Sequence, residues 1–232
     1  MTKDYRNLFT EGDTYSSSNI CLDLDSPNDD YVTRLLEDRL RLVSRYSYGG
    51  TSIDLCCATG VYTFKLANFF SHTLGIDFSD RYIEKAIELK TEKKGNNVDF
   101  ITADARKLPV ASSSIDFLVC FSSLYVIPNP EDVIKETRRV LKTGGIAILD
   151  FGNINSLNVF CIKHYADVAP IEAMSLKKTL SCLKEEQLSV KTHKSYQILP
   201  LWADKPHWLR PLLHPLWQKV LKTRLLGKML DE

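Results

Sequence analysis

Two carboxylates and a run of small residues have the types and spacing to do chemistry together. Asp54 stands at the end of the apolar run SIDL (52–55), and every residue after it up to Gly60 is small: Cys56, Cys57, Ala58, Thr59 and Gly60. A buried parallel strand that turns tightly into a helix, with the helical pattern starting at Val61, produces this order. A second short apolar run, Thr73 to Ile76, ends in Asp77. An acidic strand tip in that place can accept hydrogen bonds from the two hydroxyls of a ribose. Strand, loop, helix start and acidic tip together form a nucleoside-binding arrangement.

The spacing decides which nucleoside. A dinucleotide loop wants Gly at its first, third and sixth positions, which here hold Cys56, Ala58 and Val61, so close approach of a pyrophosphate is disfavoured. No phosphate-cradling lysine follows the loop. At these residues the chain resembles the class I S-adenosylmethionine-dependent methyltransferases, whose first motif, acidic-x-Gly-x-Gly-x-Gly, falls on Asp54, Cys56, Ala58 and Gly60. Two of the three glycines are replaced. If position 56 or 58 needs a positive φ, its Cβ costs about 1 kcal/mol, and the Ala58 methyl would also crowd the cofactor.

Two more segments carry the resemblance. Ala103 to Pro109 (ADARKLP) is similar to the family's third motif, and Arg139 to Gly145 (RVLKTGG) to its Arg-Val-Leu-Lys-Pro-Gly-Gly phrase. The resemblance, over residues 50 to 152, implies S-adenosylmethionine as cofactor. It implies that Asp54, Cys56, Ala58 and Gly60 skirt its methionyl end and that Asp77, with Phe78 beside it, holds the ribose. It also implies that Asp104 accepts from the adenine amino group, that Ala105 touches the ring, and that Phe121 and Leu124 pack nearby. A protein that binds the cofactor without turnover and a nicotinamide oxidoreductase remain as alternatives, the second needing the pyrophosphate contact that the loop argues against.

The elements that must position these residues follow from apolar period. Ser26 as cap, Pro27 at the first helical position and the stripe Leu35, Leu36, Leu40, Leu42, Val43 predict a helix to about Tyr46, ended by Gly49-Gly50. Val61 to Phe70 predicts a helix whose first N–H groups face the cofactor carboxylate. Ser79 caps the next, and strands are expected at Val98 to Ile101, Ser114 to Phe121 and Ile146 to Phe151. Asn129-Pro130 opens a helix that includes Leu141 and ends at Gly144-Gly145. Beyond it, helices are expected at Asn155 to Asp167 and Ser175 to Glu185, and a strand at Leu188 to Leu199. Alternating β and α predicts an α/β, Rossmann-like, doubly wound and mostly parallel sheet. The expected division is a lead-in and packing or lid helix (1–48), a cofactor-binding core (49–152) and a substrate-shaping part of the same domain (153–232). In the resembled family such a lead-in helix lids the cofactor, which makes Tyr15 and its neighbours candidate contacts.

Composition narrows the partners. With 232 residues and a net charge of +1, nothing points to nucleic acid, whose binders carry a strongly basic balance. No charged-then-apolar leader and no apolar stretch of membrane-spanning length is visible, so the expected location is cytoplasmic. The six cysteines lack Cys-x-x-Cys spacing and read as reduced, mostly buried thiols. No metal motif and no Gly-x-Ser-x-Gly elbow occurs. Methyl transfer from a sulfonium is an in-line displacement that needs positioning above all; if the acceptor is a hydroxyl or an ammonium, His164, Tyr165, His193 and Tyr125 are the candidate bases. The acceptor is expected to be a small molecule or biosynthetic intermediate that takes the methyl on oxygen or nitrogen, with carbon the less favoured nucleophile. Finally, Lys205, Arg210, Lys219, Lys222, Arg224 and Lys228 interleave with Leu213, Leu216, Trp217, Val220, Leu221, Leu225 and Met229, a basic amphipathic helix that either docks on the domain or touches an anionic membrane surface.

Overall fold

The computed structural model describes residues 31–156, 159 and 172–194. Its elements in chain order are α1 (Tyr31–Tyr46), β1 (Thr51–Leu55), α2 (Val61–Leu66), β2 (His72–Asp77), α3 (Asp80–Lys93), β3 (Val98–Thr102), β4 (Ile115–Cys120), α4 (Pro130–Val140), β5 (Leu141–Leu149) and α5 (Leu176–Glu185). The strands pair in parallel in the order β3-β2-β1-β4-β5. The chain steps outward from β1 to β3 and then returns to the other side of β1 for β4. That reversal opens a crevice beyond the carboxyl ends of β1 and β4, where open parallel sheets bind ligands. Leu55 of β1 is paired there with Ile76 on one side and Cys120 on the other.

Side chains alternate between the faces of each strand, so both faces need cover. On one face Ile53, Leu55, Leu118 and Cys120 pack with Val133 and Val140 of α4. On the other, Phe117 and Val119 pack with Val43 of α1 and with Leu66 and Phe70. Ile83 and Ala86 of α3 cover Val98 and Phe100. Each large side chain so buried contributes about 1.5–3 kcal/mol to stability. The expected doubly wound α/β sheet is what forms.

Several boundaries differ from the sequence reading. Helix α2 stops at Leu66 instead of Phe70 because the Asn97 amide, from the turn before β3, takes the Ala67 carbonyl at 2.9 Å and reaches Phe70 O at 3.4 Å. Leu141 is not helical: it pairs with Ile115, and register resumes at Ile146 opposite Phe117. Gly144-Gly145, expected to end α4, instead lie inside β5, with Gly144 at φ 81. At the start of α3 the Ser79 side chain makes no capping bond; its N–H donates to the Asp77 carboxylate instead. α5 does form as expected, with Ser175 Oγ accepting from Lys178 N–H at 3.2 Å. No strand forms over residues 188–194, where Val190 is left 43% exposed with no pairing partner among the described residues. The helix expected from Asn155 begins as a turn at 154–156, and Val159 within it is helical and buried, its N–H donating to Ser156 Oγ at 3.1 Å; the rest of that helix, the start of the first helix, the lead-in and the basic amphipathic tail lie outside the described residues.

The Arg139 phrase proves to be a brace. Arg139 forks onto Glu136 at 2.7 Å and also donates to Leu108 O at 2.9 Å and Val110 O at 2.7 Å. Glu136 in turn accepts Leu108 N–H at 2.6 Å, and the Arg139 partner holds its carboxyl below the usual range. Helix α4 thereby fixes the segment that follows Asp104.

Candidate functional site

All strands being parallel, the carboxyl ends of β1, β2, β4 and β5 share one edge, which carries Cys56 to Gly60, Asp77, Phe121 and Asp150. The loop after β1 turns through three left-handed residues: Cys56 at φ 62, Ala58 at φ 48 and Gly60 at φ 78. These are the three positions at which the glycine motif would place glycine. The backbone of a glycine loop is therefore kept while two of its residues carry a Cβ, at about 1 kcal/mol each. Gly60 has a further reason to be glycine: a Cβ there would lie 2.6 Å from the Phe100 ring, and at Gly75, opposite Asp54, 2.5 Å.

Strain at 58 leads to a direct expectation. Ala58→Gly should raise stability by up to about 1 kcal/mol and leave cofactor affinity unchanged or improved. Urea unfolding and calorimetry check it; a large loss of affinity would show that the Ala58 methyl makes a needed contact.

Asp77 is the loop's anchor. Its carboxylate accepts Ala58 N–H at 2.9 Å through one oxygen and Ser79 N–H at 3.0 Å through the other. Burial raises its pKa, opposed by the backbone N–H groups of Ser79, Ala58 and Phe78, and of its roughly four acceptor sites one is left for a further hydrogen bond. Cys57 N–H donates to Ile76 O at 3.0 Å, so the loop is tied to β2 twice. Asp54, 4% exposed, points to the α2 side, where Thr63 Oγ1 donates to it at 2.6 Å. Burial pushes its pKa up to about 7, with the Thr63 hydroxyl opposing and the Asp77 charge adding. A carboxylate poised near neutrality beside a nucleoside crevice is suited to meeting a cation.

The other expected residues fall into two groups. Asp104 is gripped by Arg106, whose Nε and Nη2 reach its two oxygens at 3.0 and 2.6 Å, so any adenine contact would have to share it. Phe78 and Phe121 are half-buried at the crevice edge, whereas Ala105 (6% exposed) and Leu124 (1%) are core residues that support it from beneath. Among the candidate bases, Tyr125 is half-buried with a pKa raised to about 12 by burial, and His193 is exposed; His164 and Tyr165 lie outside the described residues. The Cys57 and Cys120 thiols are pushed well up, by burial and, for Cys120 first, by its hydrogen bond with Cys56, which keeps them protonated and unreactive. The described residues contain no cluster able to hold a metal ion.

Sequence reasoning missed Arg39. It reaches from α1 to Asp150 Oδ2 and Ser122 Oγ, both at 2.6 Å, and lies over the Phe121 ring. Tyr62, whose hydroxyl has no partner among the described residues, meets Phe121 edge-on at 5.4 Å.

A family model described as a methyltransferase domain matches residues 47–210, most of the chain. The chain belongs to that family. Among curated relatives it is 30% identical over 103 residues to a demethylmenaquinone methyltransferase of Staphylococcus saprophyticus, covering 43% of each chain. The chain thus spans less than half the length of such relatives. Among solved structures, the PH0226 protein of Pyrococcus horikoshii is similar with a TM-score of 0.61 at 23% identity, covering 75% of this chain and 89% of that one. A phosphoethanolamine N-methyltransferase of Haemonchus contortus, solved with phosphomonomethylethanolamine and S-adenosylhomocysteine, has a TM-score of 0.58 at 18% identity, covering 65% and 36%. The methyltransferase family's donor is S-adenosylmethionine, and the residues present fit it: a left-handed loop, a buried Asp77 that anchors it at the strand tip, and an Asp54 whose pKa is raised to about 7. Among the described residues no helix is long and apolar enough to cross a membrane.

Proposed function

We propose that the chain binds S-adenosylmethionine across the β1/β4 crevice and transfers its methyl group to an oxygen or nitrogen, or in second place a carbon, of a small-molecule or biosynthetic-intermediate acceptor. The observation that carries this is the Asp77 carboxylate, which fixes the glycine-like loop through Ala58 N–H and stands at the strand tip with an acceptor site to spare. The donor supplies an electrophilic methyl on a sulfonium. The protein's own residues supply position: Asp77 holds the ribose, the loop after β1 shapes the methionyl end, and the apolar floor excludes water from the line of attack. At six residues, α2 offers less than two aligned turns, so its dipole adds little to carboxylate binding. The name of the Staphylococcus saprophyticus relative, demethylmenaquinone methyltransferase, adds a lipophilic quinone to the acceptors worth trying.

Calorimetry of the purified chain with S-adenosylmethionine, S-adenosylhomocysteine and NAD tests the donor; binding of the first two and not the third is expected. Tighter binding of NAD would turn the reading to an oxidoreductase. Donor binding with no product from phenol, amine and demethylated quinone acceptors would leave a cofactor-binding partner protein.

A further inference from the structure

The burial of Arg39 is not explained by cofactor binding alone. The side chain is 7% exposed, and one guanidinium nitrogen serves Asp150 and Ser122 at 2.6 Å each. Asp150 Oδ2 also accepts Ser122 N–H at 3.3 Å, and Asp150 N–H donates to Cys120 O at 3.0 Å. The guanidinium carbon is 4.8 Å from the Phe121 ring centre, and Tyr62 packs edge-on against the same ring. These groups come from α1, the start of α2 and the ends of β4 and β5. As a source of stability a buried ion pair is poor, because desolvation offsets most of the attraction. Conformation supplies a better reason. Ser122 sits at φ 56, a left-handed state that a non-glycine residue holds only when its surroundings impose it. Here its side chain is gripped by Arg39 and its N–H by Asp150.

We infer that Arg39 is a positioning residue for methyl transfer. It locks Ser122 into the left-handed turn and holds Phe121 flat, so that α1 and the ends of β4 and β5 make one rigid wall of the crevice. The inference rests on the methyltransferase reading above. Arginine suits the task where lysine would not, because its planar group can stack on the ring while it donates to two oxygens.

The test uses the full chain and S-adenosylhomocysteine as probe. Arg39→Gln combined with Asp150→Asn replaces the pair by neutral groups of similar shape and leaves no orphaned charge; Arg39→Lys keeps charge but not the planar fork. Asp116→Asn, which breaks the Lys142 contact at the opposite end of β4, is the control for lost stability. The neutral pair is expected to bind the probe about tenfold more weakly, on the scale of one displaced aromatic wall contact, with Arg39→Lys in between and Asp116→Asn like wild type. Melting temperatures, read in parallel, separate stability from affinity. Wild-type affinity in both folded Arg39 variants, or an equal loss in Asp116→Asn, would overturn the inference. Failure of the unaltered chain to bind would instead bring down the methyltransferase reading, and this inference with it.

Discussion

Asp77→Ala is expected to weaken S-adenosylmethionine binding by about fivefold to 150-fold, the equivalent of ~1–3 kcal/mol for hydrogen bonds to a charged acceptor. Two losses add. The ribose hydroxyls lose their carboxylate, and the loop loses the bond from Ala58 N–H that holds it against β2. Ser79 N–H, at the start of α3, is left without its acceptor as well, so stability should fall by roughly 1–3 kcal/mol. Calorimetry gives the first effect and urea unfolding the second. A variant that unfolds earlier yet binds S-adenosylhomocysteine as tightly as wild type would show that Asp77 is scaffold only and that the ribose is held elsewhere.

The strands were legible because each is an apolar run closed by a residue type with one job. Asp54 and Asp77 end their runs at the ligand edge, and the small residues 56 to 60 announce a turn. The need for a positive φ at Cys56 and Ala58 was also readable, since the motif asks for glycine there, and the structure shows φ 62 and 48. Most of what was hidden was decided by distant chain. Leu141 and Lys142 continue the period of α4, and only pairing of Leu141 with Ile115 makes that stretch a strand. Asn97, thirty residues from Ala67, ends α2 by taking its carbonyl. Arg39 looks like the solvent face of an amphipathic helix, because its partner Asp150 lies 111 residues away. Asp104 reads as a free adenine acceptor until Arg106, two residues on, folds back onto it.

Asp54 should give the chain a strong pH dependence. Burial raises its pKa from an ordinary 3.8 to about 7, so between those values the folded state keeps a proton that the unfolded chain has released. The folded state binds more protons over that window, and stability from this group therefore falls as pH rises, fully present below about 4 and lost through about 7. The difference is at most about 4 kcal/mol. Asp54→Asn keeps the shape and an oxygen for the Thr63 hydroxyl but removes the titration. Its stability relative to wild type should be near zero at pH 4 and grow to about 2–4 kcal/mol in its favour at pH 8, read from urea unfolding at each pH. That a costly carboxylate is nevertheless present at this spot agrees with a cationic ligand. A sulfonium and an ammonium nearby favour the ionised form, so donor binding should release a proton near pH 6 to 7 and tighten as pH rises. Calorimetry in buffers of different ionisation enthalpy measures that release in wild type and its disappearance in Asp54→Asn. Binding that releases no proton, joined to a variant whose advantage is the same at pH 4 and pH 8, would show that Asp54 is ionised throughout and plays no part in meeting the donor's charge.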